Sequence, residues 1–346
     1  MLVKRIRKLE GIDPKSWEHS ADTAALSALK QLRGLDELVK SLVSVTTERS
    51  LKLMALSSAV KVSQNQYPKL HTIMNNIVDT FDWNYTPNLF VTQSPFWNAG
   101  VIGVKEPFII VNSSMLKHFE EPEITAVLAH EMGHIMSGHA LYKTLLWLLT
   151  KISLAAIPMA QILITPIMMA LYEWDRKSEL TADRAELLAV QDVRHSYNVL
   201  MKMAGAEDLT QVNLNDFFAQ SQEYENQKSL LDGVHKILNQ LWASHPFPVI
   251  RLQELKTWEL AGYYQSILEG NYLKRGVRQA NANEDIKAGF EYYKGTVKNS
   301  DDTLSNIVTN VGEGLGKVAE EIGKNLKDLN LKDLFKPNNA NNGNNT

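Results

Sequence analysis

Apolar residues recur at three- and four-residue steps between Ser20 and about Asp82. Leu26, Leu29, Leu32, Leu35, Leu38 and Val39 fall on one face, as the buried stripe of a helix requires. Gly34 interrupts the stripe and predicts a break between two helices. Asn88–Gln93 and Phe108–Asn112 are short runs of β-branched or aromatic residues bounded by Pro, Gly and Asn, and both predict strands. A helix is expected to start near Glu121-Pro122-Glu123, with acids in its first turn and Pro where its missing N–H costs least. Further helices are expected over Glu173 to about Val190, Ser196–Ala204 and Glu223–Leu241. Between Asp301 and Leu334 a stripe runs through Leu304, Ile307, Val311, Leu315, Val318, Ile322 and Leu326, weakened by Gly312, Gly314 and Gly316. The Asn-rich run after Pro337 is low-complexity and expected to be disordered.

Composition narrows the chemistry. The 346 residues are 44% hydrophobic and 22% charged, ordinary values for a folded globular chain. A formal net charge of −3 supplies no global basic field, so nucleic acid is not an expected partner. There is no cysteine, which leaves His, Asp and Glu as the protein ligands for any metal. Met1–Lys8 is basic, but Leu9-Glu10-Gly11-Ile12-Asp13 follows where a secretory signal needs an apolar core. The expected location is the cytoplasm or the cytoplasmic face of a membrane.

The sharpest feature is His130-Glu131-Met132-Gly133-His134. On a helix, positions i and i+4 lie one above the other, so both imidazoles reach one ion. Glu131 sits one residue round, placed to take a proton from a water that zinc brings from a pKa of about 16 towards 7. A catalytic zinc needs a third protein ligand and an open position. A third His six residues after His134 is excluded, because that position is Ala140. His139 lies about 140° off the ligand face and reads as a neighbour. Glu179 and Asp183, at i and i+4 in a later helix, share one face. Glu179 completes a His-His-Glu set, and Asp183 is placed to accept the free N–H of a ligand imidazole.

Ser244-His245-Pro246 and Arg251 follow. His245 is expected to donate to the tetrahedral oxyanion, or to occupy the open position in an off state. Arg251 is expected to pair with Asp183 and lock that loop. Zn2+ is preferred over manganese or cobalt because two imidazoles and a carboxylate suit it, although affinity alone does not select the native metal.

Leu145–Lys151 leads into Ile152–Tyr172, which carries no charge and taken alone is long enough for a bilayer. One crossing would part Glu179 from His130 and His134. Two need about 40 residues, more than Leu141–Tyr172 supplies. The stretch is expected to form a helical hairpin turning near Pro158, with arms of about 20 Å. It has three possible beds: the protein's own core, one membrane leaflet, or a second subunit.

HEMGH at 130–134, RxxExxAD at 176–183 and SHPxxxxR at 244–251 together resemble the zinc metallopeptidases typified by HtpX and the CAAX prenyl protease (gluzincins, peptidase family M forty-eight). The resemblance spans about 98–255 and implies one zinc per chain, endopeptidase activity on polypeptides and, in many members, work at membranes. Asn98 and Ala99, followed by the strand with Ile109, Ile110 and Val111, look like the family's substrate-binding edge. A peptide adding to such an edge binds through its main chain, so broad specificity towards unfolded segments follows. The expected fold is mainly helical α+β, a zincin-like core with a small sheet on the HExxH helix. Its expected parts are a helical region 1–85, a peptidase domain 86–270 with the apolar hairpin 141–172, a helical region 271–336 and the tail 337–346. The alternative is a zinc-bound, catalytically idle chaperone or scaffold at a membrane surface. Glu131 discriminates, since a structural site has no use for it.

Overall fold

The computed structural model describes residues 6–32, 35, 36, 39, 48–151, 158–227 and 247–276. The described residues are mainly helical with a four-stranded sheet, as the pattern predicts. The first helices are α1 (Ser20–Lys30) and α2 (Glu48–Ser58). Strand β1 (Val60–Lys61) follows, inside the stretch expected to be wholly helical. Two residues carry no periodicity of their own, and only pairing with the next strand makes them β. Then come α3 (Pro68–Thr80), β2 (Leu89–Thr92), β3 (Ala99–Ile102), β4 (Phe108–Asn112) and α4 (Ser113–His118).

The sheet order is β1-β2-β4-β3, with β2 and β4 parallel and the other pairs antiparallel. Side chains alternate between two apolar faces. Leu89, Val91, Ala99, Val101, Ile109 and Val111 join the main core with α3. Phe90, Ile102 and Phe108 turn the other way, onto Leu51 and Ala55 of α2. This corrects one expectation. β4 is bonded on both sides, so Ile109, Ile110 and Val111 present no open edge, and the sheet's free edge beside α5 is β3.

Helix α5 (Glu121–Met136) begins with a reciprocal cap: the Glu120 N–H donates to Glu123 Oε2 at 2.8 Å, and the Glu120 side chain accepts from the Glu123 backbone. Lys202 of α8 (Val193–Met203) donates to the same Glu123 carboxylate at 2.6 Å and ties the two helices together. Between them run α6 (Ala140–Lys151) and α7 (Pro158–Val190); the residues that join them, 152–157, lie outside the described ones. Tyr142, Leu145, Leu146 and Leu149 of α6 and Ile167, Leu171 and Trp174 of α7 pack on Ala25, Ala28 and Leu29 of α1. No helix among the described residues is long and apolar enough to cross a membrane. The chain continues through α9 (Leu214–Gln227), α10 (Pro248–Leu260) and α11 (Tyr263–Leu268). Most of the helix expected over Glu223–Leu241, the stripe over 301–334 and the Asn-rich tail lie outside the described residues.

The contact that positions the site is the crossing of α5 and α7. A Cβ added at Gly133 would lie 2.7 Å from Ala185 Cβ and 3.2 Å from Ala182 Cα. Gly133 is therefore what lets the two helices approach so closely. In an unpacked helix Gly→Ala gains about 1 kcal/mol. Here Gly133→Ala is expected to destabilise by about 1–3 kcal/mol through overpacking. A fall in Tm on thermal denaturation checks the sign, and a rise would refute the close crossing.

Candidate metal centre

Helix α5 contributes His130, Glu131 and His134, and α7 contributes Glu179, Asp183 and Glu186 on one face at i, i+4 and i+7. His130 Nε2 lies 3.3 Å from Glu179 Oε2, and His134 Nε2 lies 3.2 Å from Glu179 Oε1. One ligand atom from each of these three residues falls within 4.8 Å of the other two, and all three are buried. The remaining ring nitrogens point away from the cluster. His130 Nδ1 is 3.1 Å from Asp183 Oδ1, and His134 Nδ1 is 3.0 Å from His139 Nδ1. Two imidazoles anchored at Nδ1 and turning Nε2 towards one carboxylate form a donor set that suits a divalent metal ion.

Arg251 of α10 closes the cluster from the far side. It holds Asp183 in a two-pronged pair, at 2.8 Å from Nε and 2.5 Å from Nη2, and its Nη1 lies 3.1 Å from Glu179 Oε2. Lys143 of α6 donates to Glu179 Oε1 at 2.9 Å and to Asp175 at 2.7 Å. Two cations and two imidazoles thus surround Glu179. The two imidazoles are driven in opposite directions. Burial works against a charged His130, but Glu179, Asp183 and Glu186 outweigh it and hold its pKa well above the ordinary value. Burial and then the Lys143 charge push His134 well below it.

Glu131 is 1% exposed and lines a cleft with His130, Ala99, Met203, Glu186 and Arg251. The cleft lies beside β3. Asn112 N–H bonds Asn98 C=O at 2.9 Å, so in this antiparallel register Asn98, Gly100 and Ile102 face β4. The main-chain groups of Ala99 and Val101 turn outwards. Those of Gly103 also turn outwards, where the Thr144 hydroxyl accepts the Gly103 N–H at 2.9 Å and lies 3.0 Å from its C=O.

The structure therefore brings together His130, Glu131, His134, Glu179, Asp183 and Arg251, with Ala99 at the cleft and Asn98 next to it. His245 lies outside the described residues. Sequence reasoning missed Lys143, Glu186 and Asp22. Glu186 was findable, being seven residues after Glu179 and so on its face. Lys143 and Asp22 carry no comparable signal, since each looks like an ordinary charge on an amphipathic helix. His139 is the expected neighbour, and it makes direct contact with His134.

Comparison with known proteins agrees with this geometry. The plastoglobule-localized metallopeptidase 48, chloroplastic, of Arabidopsis thaliana is 32% identical over 263 residues, covering 75% of this chain and 76% of that protein. A protease HtpX homolog of Helicobacter acinonychis is 28% identical over 86 residues, 24% of this chain and 27% of the relative. Another from Tropheryma whipplei is 30% identical over 82 residues, 23% of this chain and 28% of the relative. This chain thus matches little more than a quarter of those HtpX homologs' length. No solved structure matches the chain. The model of Peptidase family M48 matches residues 64–259, which contain every described site residue from Ala99 to Arg251. The buried His-His-Glu cluster and these matches together place this chain in Peptidase family M48, as a metallopeptidase that hydrolyses peptide bonds.

Proposed function

We propose that the chain is a zinc-dependent endopeptidase that holds one Zn2+ through His130 Nε2, His134 Nε2 and a Glu179 oxygen, with Glu131 as general base. The observation that carries this reading is the convergence of those three buried donors, each imidazole anchored by a partner at Nδ1. When bound, zinc supplies a Lewis acid that makes a water nucleophilic near neutral pH. Glu131 takes the proton of the attacking water and passes it to the leaving amine. Asp183, itself clamped by Arg251, accepts from His130 and fixes its ring. His245 donates to the oxyanion. The substrate main chain adds to β3 at Ala99 and Val101, which favours extended, unfolded polypeptide segments. Asn98 lies at the strand's entrance.

Tyr142, Leu145, Leu146 and Leu149 of α6 and Ile167, Leu171 and Trp174 of α7 pack on α1. Contact with a membrane surface is assigned to the apolar stretch 145–172, in which Ile152–Tyr172 carries no charge. The idle-scaffold alternative has no use for a buried carboxylate lining the cleft at position 131.

Metal removal tests the reading. Purified protein stripped with a chelator is expected to lose casein cleavage, and to regain it at close to one zinc per chain. Cleavage that survives complete metal removal would sink it.

A further inference from the structure

Asp22 lies in α1, ahead of the family-matched residues 64–259, and it reaches the metal centre through one imidazole. His139 Nε2 is 3.0 Å from Asp22 Oδ2, and His139 Nδ1 is 3.0 Å from His134 Nδ1. All three side chains are buried, with Asp22 2% and His139 1% exposed. A carboxylate at such a depth is expensive unless its oxygens are satisfied. Here they are: Trp174 Nε1 donates to Oδ1 at 3.1 Å, and Thr181 Oγ1 donates to Oδ2 at 2.6 Å.

The partners fix the polarity of the hydrogen bonds at Asp22. An indole N–H can only donate, so Asp22 Oδ1 accepts. The Thr181 oxygen takes the His19 backbone N–H at 3.0 Å, which leaves its hydroxyl hydrogen for Asp22 Oδ2. Facing an acceptor-only carboxylate, His139 presents Nε2–H, and the neutral ring then has its lone pair on Nδ1. The 3.0 Å contact between the two Nδ1 atoms needs one proton, and with His139 neutral that proton comes from His134 Nδ1. That tautomer leaves a lone pair on His134 Nε2, aimed at the Glu179 oxygen 3.2 Å away. A lone pair facing a carboxylate is an arrangement that a metal cation between them stabilises.

We propose that Asp22 is a positioning residue of the metal centre: acting through His139, it holds His134 in the Nδ1–H tautomer that metal ligation requires. The amino-terminal helix is then a working part of the centre, and removing its carboxylate weakens metal binding with no ligand altered. This rests on the reading of His130, His134 and Glu179 as metal ligands.

Asp22→Asn tests it, because the amide keeps the shape and reverses one polarity. Trp174 pins the amide oxygen at the Oδ1 position, so the NH2 group faces His139. His139 then moves its proton to Nδ1, and His134 is driven to the Nε2–H form. Two readouts are taken on the full chain. In metal-free protein, 15N-histidine correlation spectra are expected to show His134 as Nδ1–H in the wild type and as Nε2–H in Asp22→Asn. In competition with a chromophoric chelator, Zn2+ affinity is expected to fall about 10- to 100-fold.

Leu29→Ala, which loosens the packing of α1 without touching the relay, is expected to lower Tm and leave zinc affinity unchanged. If it weakens zinc as much as Asp22→Asn does, Asp22 is only a structural tie and the proposal fails. An unchanged His134 tautomer in Asp22→Asn also overturns it. Should Asp22→Asn not fold, His139→Leu removes the acceptor of His134 Nδ1 and is expected to give the same loss of affinity. Wild-type protein that takes up no zinc would refute the metal reading itself. The tautomer spectra need no metal and would still decide whether the relay exists.

Discussion

Glu131→Gln is expected to lower peptide hydrolysis by about 10²–10⁴-fold, the usual contribution of a positioned acid–base group, while zinc content stays at the wild-type level. The carboxylate sits next in chain to His130 and lines the cleft beside β3, so it meets any peptide laid along that edge. An amide of the same shape preserves packing and takes no proton from water. Casein cleavage and elemental analysis of the same two samples separate chemistry from metal binding. Cleavage by the Glu131→Gln variant at the wild-type rate would exclude Glu131 as the base. Loss of zinc along with activity would reassign it to holding the metal.

Arg251→Met is expected to have the largest effect on stability, about 3–5 kcal/mol, because it strands buried carboxylates that the guanidinium now balances. Asp183 loses both of its bonds from Arg251, and Glu179 loses one of the two cations that the described residues set beside it. At 2–4 °C per kcal/mol for a domain of this size, Tm falls on the order of 10 °C. Burial works to raise the Asp183 carboxyl, and the Arg251 charge outweighs it, holding the pKa below the ordinary value. A depressed carboxylate contributes stability that is present above its unfolded pKa of about 3.9 and is lost as pH falls through the folded value. The gap between wild type and Arg251→Met is therefore widest at neutral pH and narrows in acid. Adding Asp183→Leu to Arg251→Met is expected to cost less than the sum of the single changes, since the stranded partner is gone. Thermal denaturation at two pH values checks both statements, and a gap independent of pH would contradict the pairing.

The proposed metal ligands were legible in pairs because short-range geometry sets which residues share a face. Four residues is close to one helical turn, so His130 and His134 share a face wherever their helix lies, and so do Glu179 and Asp183. The start of α5 was legible for the same reason, its cap being built from Glu120 to Glu123. β2 and β4 announced themselves by β-branched and aromatic runs between turn residues. β1 and β3 did not. One is two residues long and the other, Ala99-Gly100-Val101-Ile102, has a glycine inside it, and both are strands because a neighbour pairs with them. That pairing also decided which strand is the free edge, moving it from Phe108–Asn112 to β3.

From sequence by itself came the candidate ligand types, their faces, the proposed base and the absence of any cysteine alternative, since each is a matter of residue identity and local spacing. Which faces oppose each other is set by contacts between distant segments, and only the tertiary structure decided it. The crossing at Gly133, Ala182 and Ala185 brings Glu179 to the two imidazoles. The packing of α6 sets Lys143 against that carboxylate, and the docking of α1 sends Asp22 to His139. A buried charge and a solvated one look alike along the chain. Their difference lies in the partners that folding brings within hydrogen-bonding distance, and those partners stand tens to more than a hundred residues away.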